Sequence, residues 1–172
     1  MNKQKYGMTI LEIMTVIVIA GIIFSIGYFI MAKSGADFRL KSGSRSLRHD
    51  IALARQYAKE RGSNYGIAFD DGSWYVFTIA ENGDTIIESD FEMPHDIQIG
   101  TTNDVNQKVS GTGTLPADGI DFPSDRIVFM QRAAVPGVIY LNNGEDNKAV
   151  EVNVLGNTRI YTWRENSWNQ ED

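Results

Sequence analysis

Glu12 is the one carboxylate in a long apolar segment, and its position requires a chemical explanation. Residues 13–32 carry no charge, and about 20 residues of helix span the hydrocarbon core of a bilayer. A carboxylate in such a helix costs about 2.5–3.5 kcal/mol at the bilayer centre, so it must be neutralised, reach the interface or find a partner. Cleavage after Gly7 would supply that partner, because the new amine of Met8 would lie one helical turn from Glu12.

Three interpretations of this segment compete. A secretory signal peptide has a shorter apolar core followed by small residues, and residues 33–38 make a poor cleavage site. A plain membrane anchor explains the length of the segment but leaves Glu12 unexplained. Cleavage after Gly7 explains both, and it predicts an ion pair within one chain or between neighbouring helices that would fix their register.

The stretch G-M-T-I-L-E at residues 7–12 resembles the class III signal of type IV prepilins and pseudopilins. That signal has a short basic leader, Gly, an apolar residue that is usually Phe, Thr, two apolar residues, Glu and a membrane-length apolar run. Met8 in place of Phe is the one departure. The resemblance implies that a prepilin peptidase cuts between Gly7 and Met8 and methylates the new amino group of Met8. It also implies that Glu12 serves filament assembly.

The basic leader predicts the orientation of the chain. Lys3 and Lys5 should stay in the cytoplasm by the positive-inside rule, which leaves the C-terminal domain in the periplasm of a bacterium. The basic residues after the span argue weakly for the opposite orientation, but the short leader and the resemblance outweigh them. The predicted divisions are a cleaved leader (1–7), the transmembrane half of an N-terminal helix (8–32), its amphipathic half (33–61) and a periplasmic antiparallel β domain (62–172).

Residues 37–61 show the periodicity of an amphipathic helix. Gly62 is a natural stop, and Ser42-Gly43-Ser44 lowers the helix propensity enough to indicate a bend or a frayed turn. The apolar positions recur at spacings of seven, four, three and four, which places them on one face. They are Leu40, Leu47, Ile51, Ala54 and Ala58.

A basic stripe runs beside the apolar one. From Lys33 to Arg61 the chain has eight basic and three acidic residues, whereas from Gly62 onward it has six basic and eighteen acidic residues. A solvated face is the plain interpretation. The more specific interpretation is that the basic stripe contacts the acidic heads of neighbouring subunits. A DNA-binding site, if the chain had one, would also be expected on this stripe. The stripe consists of Lys41, Arg45, Arg48, Arg55 and Lys59.

After Gly62 the apolar period changes to two, which predicts strands joined by turns such as Asn82-Gly83 and Asn143-Gly144. A long helix followed only by strands predicts an α+β fold, with the helix packed on antiparallel sheets. The predicted strands are 64–69, 74–79, 85–87, 96–99, 127–129, 137–141, 149–154 and 158–163, with a loop at 100–119 and a frayed polar tail at 164–172.

Two later stretches extend the resemblance. Residues 55–77 are similar to the first helix end and hairpin of GspH/FimT-type minor pseudopilins, and residues 129–159 resemble the C-terminal signature of the same group. The resemblance implies a type IV pilin-like fold: a membrane-spanning N-terminal helix packed on antiparallel β-sheets.

Catalysis is not indicated. His49 lies on the predicted helix and His95 in a turn, and no sequence feature brings them together. The chain has no cysteine, which excludes a thiol nucleophile, a thiolate metal site and a disulfide. The pair His95-Asp96 could act as an oriented base, but an adjacent pair in a turn is normally exposed to solvent. We therefore expect no enzyme and no cofactor.

Calcium and single-stranded DNA are two other ligands that parts of the sequence could bind, but each of these parts has a plainer explanation. Residues 142–147 and 118–125 are rich in the oxygen ligands that calcium prefers, but polar turns explain them, so we assign no metal ligand. Trp163 and Trp168 stand near Arg159 and Arg164, a combination that can bind single-stranded DNA. The acidic neighbours argue against DNA, and we expect core packing for Trp163 and a frayed end for Trp168.

The resemblance implies a minor pseudopilin of a type II secretion system, which helps to initiate or cap a pseudopilus that exports folded proteins. Its partners would be other pseudopilins or pilins, the prepilin peptidase, the inner-membrane assembly platform and membrane lipid. A FimT-like minor pilin of a type IV pilus, with or without a part in DNA uptake, is an alternative that shares all these residues. A membrane-anchored periplasmic enzyme or sensor domain is a second alternative, and it predicts an uncut leader.

Overall fold

The computed structural model describes residues 9–70, 72–80 and 82–171, so Gly7 and Met8 lie outside the described residues. Within these described residues a helix, α1 (Ile10–Arg61), is followed by ten strands. The chain divides into two compact units, residues 1–36 and 37–172. In the first unit, Ile10–Tyr28 is long and apolar enough to cross a membrane by length and composition, and none of it is buried in the protein.

In the second unit, the apolar stripe of α1 is buried. All five predicted residues, from Leu40 to Ala58, have no exposed surface. The helix ends at Arg61, and Gly62 follows with φ +67°, a conformation that favours glycine as a helix stop. Ser42-Gly43-Ser44 forms no break, because α1 continues through it and both Gly43 and Ser44 are buried. The small residues at this point are packed closely, and the frayed turn considered from helix propensity is absent from α1.

The strands form two antiparallel sheets. The first sheet has the order β3-β2-β1-β6, and the second has the order β10-β9-β8-β7-β4, with β5 paired to β7. One turn of 3-10 helix, Pro123–Asp125, precedes β6. The strands are β1 (Tyr65–Asp70), β2 (Ser73–Ile79), β3 (Thr85–Glu92), β4 (Gln98–Ile99), β5 (Ile120–Asp121), β6 (Arg126–Phe129), β7 (Gly137–Asn142), β8 (Asn147–Val152), β9 (Thr158–Arg164) and β10 (Ser167–Gln170).

Two hydrophobic clusters hold these elements together. The larger cluster joins the apolar stripe of α1 to the facing side chains of both sheets, including Trp74, Phe129 and Ile139. Gly66 on β1 belongs to this close packing, because a Cβ there would lie 2.4 Å from the carbonyl oxygen of Ile127. The smaller cluster is built on Val138, Tyr140 and Ala149 of the second sheet, and Val109, Leu115, Tyr161 and Trp168 pack against it.

The prediction of a frayed tail is wrong. Residues 167–170 form β10, which pairs with β9, and the amide of Glu171 donates a hydrogen bond of 2.8 Å to the carbonyl of Ile160. Trp168 is half-buried rather than frayed, with its ring 5.5 Å from that of Tyr140 and 5.2 Å from that of Trp163. The sequence did not indicate this hairpin because Ser167–Gln170 is polar and its two-residue turn, Glu165-Asn166, contains no glycine although both residues have positive φ.

The predicted loop at 100–119 contains no strand, and side chains fasten it to the second sheet. The amide of Thr102 donates to Oδ1 of Asn147 at 2.8 Å, and the amide of Val109 donates to the hydroxyl of Tyr140 at 3.2 Å. Nε1 of Trp168 donates to the carbonyl of Gln107 at 2.8 Å. The loop therefore covers the smaller cluster.

Candidate functional site

The start of α1 places Glu12 next to Thr9. The amide of Glu12 donates to Oγ1 of Thr9 at 3.2 Å, so Thr9 acts as the N-cap of the helix. The spacing Thr-x-x-Glu is that of a capping box, which gives Glu12 a second possible role beside ion pairing. Glu12 is exposed and available to another helix. Its pairing with the amine of Met8 stays a prediction, as does cleavage after Gly7, because both of those residues lie outside the described ranges.

Hydroxyl groups in the apolar part of α1 are satisfied within the helix. Oγ1 of Thr15 donates to the carbonyl of Leu11, and Oγ of Ser25 donates to the carbonyl of Gly21, both at 2.9 Å. A polar group in hydrocarbon must find such an internal partner, because no water is available there. This segment can therefore lie in a bilayer without an unpaired hydroxyl at either position.

A basic groove lies along the outer side of α1 in the second unit. Its central cavity of about 670 Å³ is bounded by α1 and by the turn between β8 and β9. Two adjoining cavities of about 340 Å³ share Arg45 or the pair Arg55 and Lys59 with it. We define the basic groove by its cationic residues: Lys41, Arg45, Arg48, Arg55, Lys59, Arg132 and Arg164.

The turn between β8 and β9 shapes the groove and holds one of its arginines. Nη1 of Arg55 donates to Oδ1 of Asn157 at 3.0 Å. Asn153 closes the turn, because its Oδ1 accepts the amides of Leu155 and Asn157, both at 3.0 Å. Gly156 has φ +74°, and a Cβ there would lie 2.9 Å from Nε of Arg55, so glycine provides both the backbone conformation and the room.

The cations of the groove are poorly neutralised by the rest of the domain. Arg39 forms an ion pair with Asp96, and Arg61 forms one with Glu88 at 3.2 Å, but both lie outside the groove. In the part of the chain that the structure describes, Arg45, Arg48 and Lys59 form no ion pair. The basic stripe predicted from the sequence is therefore an open positive surface.

Asp50 is a carboxylate on the buried side of the same helix. It is 3% exposed, and Nε1 of Trp74 donates to its Oδ2 at 2.8 Å, which ties α1 to β2. Burial raises the pKa of the Asp50 carboxyl above its ordinary value, and the Trp74 hydrogen bond only partly offsets the rise. Sequence reasoning missed this contact, although Asp50 does lie three residues after Leu47 on the apolar stripe.

A second buried charge fastens the C-terminal strand. Nζ of Lys148 on β8 donates to Oγ1 of Thr162 at 2.8 Å and forms an ion pair with Glu171. Burial disfavours ionisation of Glu171, but the hydrogen bonds from Lys148 and Thr162 outweigh it and lower the pKa of the Glu171 carboxyl. This pair lies at the end of the basic groove near Lys41, and no sequence signal pointed to it.

The structure does not bring the two histidines to one site. His49 lines the central cavity of the groove, whereas His95 is exposed in a turn and is not part of that lining. Asp96, considered as its partner, pairs with Arg39 instead.

The two oxygen-rich stretches form turns that use their own side chains. Oδ1 of Asn143 accepts the amide of Asp146 at 2.7 Å, and Oδ1 of Asp118 accepts the amide of Ile120 at 3.1 Å. Asp121 is paired with Lys108 at 2.9 Å. Among residues 9–70, 72–80 and 82–171, no group of three or more His, Cys, Asp or Glu side chains could hold a metal ion.

The fold defines the class of the protein, because a long helix with an apolar N-terminal part followed by antiparallel sheets is the type IV pilin-like arrangement. Two solved structures of the minor pseudopilin EpsH from the type II secretion system of Vibrio cholerae are similar to the chain, each with a TM-score of 0.52. The first is 11% identical over 71% of this chain and 92% of EpsH. The second is 9% identical over 72% of this chain and 97% of EpsH.

The sequence places the chain in a family. A sequence profile described as "Type II transport protein GspH" matches residues 44–157, so the chain belongs to the GspH family. No curated protein sequence matches it. The expectations of an α+β fold and of a GspH-type minor pseudopilin of type II secretion are confirmed. Membership of a pseudopilin family also implies assembly with other pseudopilins in a pseudopilus.

Proposed function

We propose that this chain is a non-enzymatic minor subunit of a pseudopilus anchored in the bacterial inner membrane, and that it helps to initiate or cap the filament. In this role it supports the export of folded proteins. The observation that carries the proposal is the family match over residues 44–157, joined to an exposed apolar helix at Ile10–Tyr28. The described residues of the protein bury none of this helix, so lipid or the helices of other subunits must cover its apolar side chains.

The N-terminal signal supports a processing step as part of this function. Prepilin peptidase removes the leader 1–7 by cutting between Gly7 and Met8, and Met8 then carries a methylated amine. Residues 8–32 lie in the membrane or the filament core, residues 33–61 continue the helix, and residues 62–172 form the periplasmic domain. The inner-membrane assembly platform receives the processed subunit, and Glu12 pairs with an N-terminal amine during assembly.

Leader processing has a direct test. Mature protein isolated from its native host should begin at Met8 and be one methyl group heavier than the unmodified chain, as measured by intact-mass and peptide mass spectrometry. An uncut Met1 in the mature protein would contradict processing and would favour a plain membrane anchor that carries an enzyme or sensor domain.

The secretion role is tested by deleting the gene and comparing the proteins released into the medium with those of the parent strain. Specific exoproteins should disappear from the medium and accumulate in the periplasm, and the wild-type chain should restore their release. Unchanged secretion would overturn the proposal. Loss of piliation or DNA uptake in the same strain would then identify a minor pilin of a type IV pilus.

A further inference from the structure

We propose that the basic groove of α1 binds an extended acidic segment of a neighbouring pseudopilin. The inference rests on the proposed function, because it takes the partner from the filament, and it specifies where on this subunit the contact is made. The groove lies entirely within residues 37–172 and uses none of the apolar residues of Ile10–Tyr28. It is therefore a second contact surface, distinct from helix packing in the membrane.

Charge complementarity indicates the chemistry of the partner. The chain has a net charge of −6, yet seven cationic side chains line one groove beside α1, five of them on the helix itself. Among the described residues, Arg45, Arg48 and Lys59 find no carboxylate partner. A cluster of like charges destabilises the domain that carries it, and a ligand rich in carboxylates would relieve that repulsion.

The spacing of the cations indicates the length and conformation of the ligand. A helix rises about 1.5 Å per residue, so Lys41 to Lys59 covers roughly 27 Å. About eight residues of extended chain span the same distance. In an extended chain alternate side chains point to the same side, so a segment with Asp or Glu at alternate positions would direct its carboxylates to one row of cations.

The lining of the groove favours a polypeptide over a nucleic acid. The central cavity is bounded by small and polar residues such as Ala52, Gly156 and Thr158, and the described residues that line it include one imidazole, His49, and no Phe, Tyr or Trp. Proteins that bind single strands stack successive bases on aromatic rings, and one imidazole in the central cavity offers stacking for a single base at most. Asn157 also holds Arg55 in place, so part of the binding geometry is formed before the ligand arrives.

A peptide-binding assay on the full chain in nonionic detergent tests the proposal. The probe is a fluorescein-labelled eight-residue peptide of alternating Glu and Ser, and the same peptide with Gln in place of Glu is the charge control. The groove variant carries Arg45→Glu and Arg48→Glu, both at exposed positions that the core does not use. The matched control carries Arg126→Glu and Arg159→Glu, which are also exposed, change the net charge equally and lie outside the groove.

Wild type and the matched control should bind the acidic peptide alike, with an affinity that falls as salt rises, and the groove variant should bind at least tenfold more weakly. Ala52→Trp should also weaken binding, because it fills the central cavity without a change of charge. Equal loss in both charge variants would overturn the proposal, since it would show a response to net charge alone. Tighter binding of an eight-nucleotide single strand, or of phosphatidylglycerol vesicles, than of the acidic peptide would also overturn it.

The deletion strain separates the groove from the general function. A photo-crosslinking residue at position 52 of the complementing chain should capture an acidic segment of another pseudopilin, and the groove variant should restore secretion severalfold less well than the matched control. If the wild-type gene restores secretion and the groove variant does so equally well, the groove proposal fails and the pseudopilin role stands. If deletion leaves secretion unchanged, the proposed function itself fails.

Discussion

The two parts of α1 are both helical and both rich in apolar residues, but the environments of those residues are opposite. Between Ile10 and Tyr28 the large apolar side chains are exposed, whereas from Leu40 to Ala58 the apolar stripe is completely buried. The difference is one of periodicity. An unbroken apolar run suits a surrounding that is apolar on every side, while a stripe suits a helix with a core on one side and water on the other.

Only the second part of α1 should therefore support the stability of the domain. The first part depends on lipid or other subunits, so changes there should affect insertion or assembly. The following predictions test this division, in order of decreasing effect on the free energy of unfolding. In each case the full chain in detergent is unfolded with urea, and the unfolding is monitored by tryptophan fluorescence.

Leu47→Ala should lower the free energy of unfolding by about 3 kcal/mol, because it removes three carbons from a fully buried position and leaves a cavity. Ile17→Ala is the matched change in the first part of the helix, where the side chain is 65% exposed, and it should leave the unfolding midpoint unchanged. Equal losses of unfolding free energy in the two variants would contradict this difference between the two parts of α1.

Trp74→Phe should cost about 2 kcal/mol, because the buried carboxylate of Asp50 loses its hydrogen-bond donor. The pKa of Asp50 is raised in the folded state, so the folded protein binds more protons than the unfolded chain between the two pKa values. Its contribution to stability therefore falls as pH rises through that window, beginning near the ordinary carboxyl pKa. Asp50→Asn should remove this pH dependence, and a variant that kept it would contradict the assignment.

Glu171→Gln should cost about 1 kcal/mol at pH 7, because the buried amine of Lys148 loses its ionic partner. The pKa of Glu171 is lowered by folding, so its contribution is present above the unfolded pKa and is lost as pH falls through the lower folded pKa. Wild type and variant should thus converge in acid. Glu165→Gln, an exposed change two residues before β10, is the control and should match wild type throughout.

Glu12→Leu should leave the unfolding of the domain unchanged and lower the incorporation of the subunit into filaments, measured by cofractionation with sheared pseudopili. Glu12→Gln separates the two roles open to this residue. A capping role would be preserved, since Gln also completes a capping box, whereas an ion pair with an N-terminal amine would be lost. Normal incorporation of both variants would contradict any role of Glu12 in assembly.

Sequence reasoning succeeded where a local pattern is enough. The apolar stripe from Leu40 to Ala58, the helix end before Gly62 and most strands follow from side-chain period and turn residues. It failed at β10, because Ser167–Gln170 is polar and becomes a strand only through pairing with β9 and the packing of Trp168 on Tyr140. Asp50 and Lys148 were missed as buried groups for a similar reason, since their partners lie 24 and 23 residues away.

The candidate site was likewise predicted only in part. The basic stripe was visible in the sequence, but the groove was not. Arg55 donates a hydrogen bond to Asn157, which lies 102 residues further along the chain. Arg132, in the connection between β6 and β7, lines the same groove. A helical period shows which residues share a face, yet it carries no information about the element that forms the opposite wall.

The amino-acid sequence alone therefore determined the apolar segment, its single carboxylate, the buried face of the helix and the alternation of the strands, because these depend on residue type and short-range spacing. Only the tertiary structure decided which polar groups are buried, where Trp168 packs on the second sheet and where the cations of the helix face a cavity. Those features depend on contacts between residues far apart in the chain, and hydrophobic burial can bring such residues together in many ways that a local pattern does not distinguish.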